Sequence, residues 1–170
     1  MPSWSGIRKK LEENYLCHAL RGRIQYFVTR YRESHDSDEG RVAILLDGKE
    51  ILQSNSFDFG DNYYRKWHEL QKNASSENLD ISNIFFHACE GAVTEGCIDP
   101  TRFYDAFYIY DNQSIEESLA SSNALVRIFA LLDRRVGKRR LLTLADKMEY
   151  ERPWVQVFYF LRLEAEKIKL

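Results

Sequence analysis

The sequence has little net charge and few histidines and cysteines. It contains 24 lysines and arginines and 26 aspartates and glutamates among 170 residues, so its net charge is −2. Such a balance provides no general attraction to nucleic acid or to an anionic membrane. The three cysteines, Cys17, Cys89 and Cys97, form no Cys-x-x-Cys pair and have no histidine at metal-ligand spacing. We therefore expect reduced thiols and neither a metal nor a cofactor, although a disulfide between Cys89 and Cys97 stays open.

Long apolar runs are also lacking. No stretch approaches the ~18 residues that a membrane-spanning helix needs. The N-terminal residues MPSWSGIRKKLEEN become charged at once and lack the apolar centre of a secretory signal, so we expect a cytoplasmic protein. No phosphate-binding loop, dinucleotide-binding fingerprint, nucleophile elbow, zincin or EF-hand pattern occurs. This lowers the expectation of an enzyme without excluding one, because many active sites are assembled from distant residues.

Aromatic residues, in contrast, are abundant. The chain has 10 phenylalanines, 10 tyrosines and 3 tryptophans, more than a small core needs. Some tyrosines are therefore expected at a surface or an interface, where a ring with a polar tip is favourable. One predicted helix carries aromatics on more than one face, at Tyr104, Phe107, Tyr108 and Tyr110. Such a helix is either buried all round in the core or turned toward a partner.

Alternating apolar and polar residues predict three neighbouring strands after a first helix at residues 5–16, which Ser5 can cap. The alternation places the strands at residues 23–31, 41–46 and 49–53. Asp47-Gly48, between the last two, is the strongest hairpin signal because both positions tolerate positive φ. We therefore expect an antiparallel meander with one face that needs cover.

Helical periodicity predicts that cover. Apolar residues recur at intervals of three and four, which places helices at about 61–72, 81–92, 101–110, 125–136 and 141–148 and from Pro153 onward. Asp99-Pro100 has the residue types of an N-cap and a first helical position. Gly137 follows the strongest stripe, and we expect it to take positive φ as the C′ residue. The predicted fold class is α+β, with an N-terminal helix, a three-stranded antiparallel meander and a mostly helical C-terminal half packed on it, in one domain of residues 1–170.

Two polar clusters are candidate sites. The first is a predicted loop with Arg32, His35 and Asp36, followed by Arg41. A histidine beside a carboxylate could act as a general base, and the arginines could hold an anionic group. The alternative is a solvated hairpin loop in which aspartate and serine close turns.

The second cluster is mainly basic and consists of Asp133, Arg134, Arg135, Lys138 and Arg139, followed by Arg140. These side chains could contact phosphates. Alternatively, the cations complement the dipole at the end of the predicted helix at 125–136, and Asp133 pairs with a neighbouring basic residue.

Three stretches carry a family resemblance: WSGIRKKLEENYLCHALRGRIQYFVTRYRESHDSDEGRVAI at 4–44, LLDRRVGKRRL at 131–141 and FYFLRLEAE at 158–166. Their motifs are YRxxHD, GR and DRRVGKR, matched by Tyr31, Arg32, His35, Asp36, Gly40, Arg41 and residues 133–139. The stretches resemble a family of small bacterial hypothetical proteins known by a Shigella locus label, and the likeness is weakest at residues 57–98. The resemblance implies a bacterial cytosolic origin and transfers no activity.

Composition and motifs together favour a non-enzymatic bacterial interaction protein, such as an inhibitor or an immunity-type partner of another protein. The first alternative is an enzyme or anion-binding protein that uses the His35/Asp36 loop with its arginines. The second is nucleic-acid binding through Arg134–Arg140, which the acidic total disfavours. The expected partner is another protein, with no membrane involved, and a homo-oligomer stays open.

Overall fold

A three-stranded antiparallel sheet lies near the N-terminus of the computed structural model, which describes residues 3–31, 39–74 and 81–169. Its strands are β1 (Ile24–Arg30), β2 (Gly40–Leu46) and β3 (Lys49–Asn55), in the order β1–β2–β3. Asp47 and Gly48 connect β2 to β3 with φ of 50° and 79°, as the tight two-residue hairpin turn requires. The predicted meander is confirmed.

The first strand pair has no room for a side chain at Gly40. A Cβ there would lie 2.1 Å from the carbonyl oxygen of Thr29 and 2.7 Å from Cγ of Pro100. The amide of Gly40 donates a hydrogen bond of 2.8 Å to Oγ of Ser56. Close packing therefore explains why the Gly-Arg motif has a glycine at position 40.

The N-terminal helix is confirmed, although its cap differs from the prediction. Helix α1 spans Trp4–Lys9 and continues as a π-helical turn, Lys10–Tyr15. Its N-cap is Ser3 in place of Ser5, because Oγ of Ser3 accepts from the amide of Gly6 at 3.3 Å. Glu12 ties the π-helical turn to the sheet, since its carboxylate accepts from the amide of Tyr26 at 2.8 Å. A short 3₁₀ turn, His18–Leu20, then leads into β1.

The rest of the described chain is mostly helical. The helices are α2 (Ser56–Ala74), α3 (Ile81–Thr94), α4 (Pro100–Asp111), α5 (Ile115–Leu119), α6 (Ala124–Leu132), α7 (Lys138–Thr143), α8 (Ala145–Met148) and α9 (Pro153–Ala165). Helix α4 begins as predicted, because Asp99 accepts from the amide of Arg102 at 2.7 Å and Pro100 follows it. No helix among these described residues is both long and apolar enough to cross a membrane.

Helix α6 is the centre of the core and packs against α4, α5 and α9. All its residues except Arg127 are buried. Rings join it to the sheet, since the centroid of Phe129 lies 5.8 Å from Tyr26 and 5.4 Å from Phe103 of α4. On α4, Phe107 and Tyr110 are buried and Tyr104 and Tyr108 are half-buried. The aromatic side chains of this helix therefore pack mainly in the core.

The prediction for Gly137 is wrong. Helix α6 ends at Leu132, and Gly137 is the N-cap of α7 with φ −80° and ψ 169°. The helix stops early because backbone groups beyond it pair with the N-terminal segment. The amide of Cys17 donates to the carbonyl of Leu132 at 2.9 Å, and the amide of Arg134 donates to the carbonyl of Tyr15 at 2.8 Å. A tertiary backbone pairing thus overrides the helical periodicity.

Candidate functional site

Most of the first predicted polar cluster lies outside the described residues, namely Arg32, His35 and Asp36. Arg41 is described and lies on β2. It forms a salt bridge with Glu50 of β3 and donates a hydrogen bond of 3.1 Å to Oε1 of Gln53. Its guanidinium group is therefore engaged across the strand pair, and an anion held between Arg32 and Arg41 stays a prediction.

The second cluster is built around Asp133, whose side chain is completely buried. Its carboxylate accepts a hydrogen bond from the hydroxyl of Tyr110. Arg135 donates to it three times, from the amide at 2.7 Å, from Nε at 2.9 Å and from Nη2 at 2.7 Å. The predicted pairing of Asp133 with a basic neighbour is confirmed, and the pair holds the segment after α6 in place.

Two tyrosine rings hold the guanidinium group of Arg135 from the side. Its central carbon lies 5.2 Å from the ring of Tyr15 and 5.8 Å from the ring of Tyr110. The hydroxyl of Tyr15 in turn donates to Asp111 at 2.6 Å, and Nζ of Lys10 donates to the same carboxylate at 2.7 Å. Burial and the bond to Asp111 raise the pKa of Tyr15 to about 12. The pKa of Asp111 is lowered, because the hydrogen bonds from Lys10 and Tyr15 outweigh the effect of burial.

Arg162 is a buried residue that sequence reasoning missed. Its side chain is 1% exposed and donates 2.9 Å hydrogen bonds to the carbonyls of Leu132 and Val136. It also forms a 3.0 Å ion pair with Glu166. The only sequence signal was an arginine inside an apolar run with an acid four residues later, a spacing that is also common on exposed helix faces. Arg162 therefore supports the same segment as Asp133, through backbone carbonyls at both of its ends.

The segment held in this way presents a basic depression, lined by Arg135, Gly137, Arg139, Arg140 and Thr143, with a volume of about 450 Å³. Of the predicted site residues it brings together Arg135 and Arg139 and adds Arg140, whereas Arg134 and Lys138 are exposed outside it. The helix-dipole explanation is wrong for Lys138, Arg139 and Arg140, because these residues begin α7.

A second feature is a group of connected aromatic rings on α2 and α3, none of them buried. We call it the aromatic face, and its members are Phe59, Tyr63, Tyr64, Trp67, Phe85 and Phe86. Tyr63 is at its centre, with ring centroids 5.2 Å from Tyr64, 5.8 Å from Phe85 and 5.9 Å from Trp67. Tyr64 and Phe86 are each 63% exposed. Within residues 56–73 of α2, no side chain is buried.

A groove of about 560 Å³ lies beside this face, between α3, α4 and the turn before α6. Its lining includes Phe86, Glu90, Val93, Arg102, Asp105 and Ile109. Arg102 pairs with Asp105 at 3.3 Å, and Glu90 accepts a hydrogen bond from Ser122 at 2.9 Å and lies 3.7 Å from His87, which is outside the lining. The lining holds these two carboxylates and one arginine. The groove is therefore apolar with a small excess of negative charge.

The three cysteines are free thiols, as predicted. Cys17 and Cys89 are buried and Cys97 is half-buried, and burial raises the pKa of each thiol. Within residues 3–31, 39–74 and 81–169, no group of three or more histidine, cysteine, aspartate or glutamate side chains could hold a metal ion.

Comparison with known proteins gives one family match. No curated protein and no solved structure matches the chain. The model of the SF0329 protein family matches residues 3–163, which is nearly the whole chain and agrees with the resemblance seen in the sequence. The chain belongs to the SF0329 protein family.

Proposed function

We propose that this protein is a non-enzymatic binding protein of the bacterial cytoplasm and that its aromatic face docks a partner protein. The observation that carries the proposal is the set of six connected rings on α2 and α3, none of which is buried. Contiguous exposed apolar surface on a soluble protein commonly marks an interaction site.

The energetics favour an interface at this face. Burying a large apolar side chain stabilises a complex by about 1.5–3 kcal/mol, and Tyr64 and Phe86 each leave 63% of their surface available for such burial. Tyrosine and tryptophan are enriched among the residues that dominate binding energies. Helices α2 and α3 pack chiefly against each other, so the chain's own core leaves these rings accessible.

The charges beside the face indicate the chemistry of the partner. The groove that continues from Phe86 offers Val93 and Ile109 as apolar walls, and its lining holds one carboxylate more than it holds cations. An amphipathic segment of the partner, with apolar side chains and a basic residue at its edge, complements this lining. Docking of this kind is what an inhibitor or an immunity-type partner requires.

Affinity capture with matched variants tests the proposal. Lysate of the native host is passed over the wild-type chain, over a Tyr64→Ser/Phe86→Ser double variant and over Tyr150→Ser. Tyr150 is 89% exposed and lies outside the aromatic face, so it controls for the loss of an exposed ring. We expect the same protein to bind wild type and Tyr150→Ser and to be lost from the double variant. Equal capture on all three columns contradicts the proposal.

Self-association is measured on the same three proteins by light scattering after size-exclusion chromatography. We expect each to be a monomer at micromolar concentration. A wild-type dimer that the double variant abolishes would make the aromatic face an interface between copies of this chain, and the proposal of a different partner would then be wrong.

A further inference from the structure

The basic depression formed by α7 and the segment before it has features of a prepared anion site. Its lining brings three arginines, Arg135, Arg139 and Arg140, around a volume of about 450 Å³. Arginine donors form paired hydrogen bonds that match the oxygens of a phosphate group. Gly137 completes the rim of the depression without a side chain.

Arg135 is fixed before any ligand arrives. Two of its side-chain nitrogens, Nε and Nη2, donate to the buried carboxylate of Asp133, and the rings of Tyr15 and Tyr110 flank its guanidinium group. Its third nitrogen, Nη1, has no hydrogen-bond partner among the described residues. Because the side chain is already ordered, a ligand bound through Nη1 loses little side-chain entropy.

The local charge balance favours an anion. Asp133 offsets the charge of Arg135, and Glu116 pairs with Arg140, in a pair whose acid is exposed and whose arginine is half-exposed. Arg139 has no partner in the described part of the chain. At least one full positive charge is therefore free, and the exposed Glu116 pair gives way easily to a stronger anion.

We infer that this depression binds the phosphate group of a compact ligand, such as a small phosphorylated molecule. A nucleic-acid backbone fits less well because Glu116 borders the basic surface and the whole chain carries a charge of −2. A polyanion needs several phosphate contacts in a row, whereas the arginines here converge on one depression. The inference is independent of the aromatic face and does not require a partner protein.

Inorganic pyrophosphate is the first probe, titrated into the ¹⁵N-labelled full chain and followed by amide chemical shifts. We expect saturable shifts at Gly137 and Arg139, with an affinity that falls as NaCl is added.

Arg139→Ala and Arg140→Ala should each weaken binding about tenfold, the effect of losing one charge-assisted hydrogen bond. Arg21→Ala, which removes an exposed arginine elsewhere, should change the affinity less than about twofold. The two site variants alter exposed or half-exposed side chains, so all variants should melt close to wild type.

Shifts that do not saturate, or an equal loss of affinity in Arg21→Ala, would overturn the inference, because either result indicates unspecific charge attraction. A twelve-nucleotide single strand is the second probe. If it binds far more tightly than pyrophosphate and is lost in the same two variants, the site is a nucleic-acid surface and the inference of a compact ligand is wrong. Arg139→Ala should still capture the partner protein as wild type does. A failure of the anion-binding experiment would therefore not contradict the proposed function, which the capture experiment tests separately.

Discussion

The hydroxyl of Tyr110 donates a hydrogen bond to the carboxylate of Asp133, so that α4 and the segment after α6 share one buried acid. Arg135 donates to the same carboxylate and lies between the rings of Tyr110 and Tyr15. The one acidic residue of the DRRVGKR motif is therefore a structural anchor, and it orders the segment that carries the arginines after it.

Removal of the anchor should destabilise the fold. Asp133→Ala leaves the Tyr110 hydroxyl buried without an acceptor and frees Arg135, so we expect the free energy of unfolding to fall by about 3 kcal/mol. Asp146→Ala, at an exposed position on α8, should stay within about 0.5 kcal/mol of wild type. Chemical denaturation measures both. An Asp133→Ala protein as stable as the Asp146 control would show that the network contributes nothing to stability.

Replacement of Arg162 should also destabilise the fold, although its sequence context resembles that of an exposed helical arginine. In Arg162→Met the apolar stem is largely kept, but the carbonyl of Val136 loses its guanidinium donor, whereas the carbonyl of Leu132 keeps the amide of Cys17. We expect the free energy of unfolding to fall by about 2 kcal/mol, mainly because one buried acceptor is left without a partner. Arg152→Met is the matched control, because Arg152 is half exposed in its ion pair with Glu95 and should cost no more than about 0.5 kcal/mol. Equal effects of the two substitutions would contradict the structural role of Arg162.

Two glycines should respond in opposite directions to alanine. At Gly40 a Cβ would collide with the backbone of Thr29, so Gly40→Ala should destabilise by about 2–3 kcal/mol or prevent folding. At Gly60, inside α2, nothing lies within 4 Å of the added atom, and alanine should stabilise by about 0.5–1 kcal/mol. Thermal melts of the two variants are the measurement. If the Gly40→Ala protein has the same melting temperature as the Gly60→Ala protein, the close packing between β1 and β2 is refuted.

Stability at alkaline pH should depend on Tyr15. Its pKa is about 12 in the fold against an ordinary value of 10.0. Because the folded pKa is the higher one, the neutral hydroxyl contributes fully below pH 10, and this contribution is lost between pH 10 and pH 12. The stability difference between wild type and Tyr15→Phe should therefore shrink as the pH rises through this range. Parallel pH profiles of the two unfolding free energies would contradict the assignment.

The sequence was sufficient for elements with strong local signals. Asp47-Gly48 fixed the hairpin because few other residues accept positive φ at both turn positions, and Asp99-Pro100 fixed the start of α4. Helix α2 was also foreseen, although it begins at Ser56, directly after β3, and not near residue 61.

Features that depend on distant partners escaped sequence reasoning. The stripe that runs to Val136 looked like one helix, but the pairing of Tyr15 and Cys17 with the backbone at 132–134 ends α6 at Leu132. For the same reason Gly137 became an N-cap, and a Cβ there would contact nothing within 4 Å. Arg162 can be buried because backbone carbonyls 26 to 30 residues away accept its hydrogen bonds, and the sequence does not show that these carbonyls lie close to it.

The affinity of the captured partner for two single variants tests the central claim most directly. With the purified partner, Phe86→Ala should raise the dissociation constant at least tenfold, or about 1.4 kcal/mol, because the exposed ring of Phe86 belongs to both the aromatic face and the groove beside it. Tyr150→Ala, which removes a more exposed ring outside the aromatic face, should change it by less than about twofold. If instead Phe86→Ala binds as tightly as wild type, the partner does not dock on the aromatic face and the account of α2 and α3 is wrong.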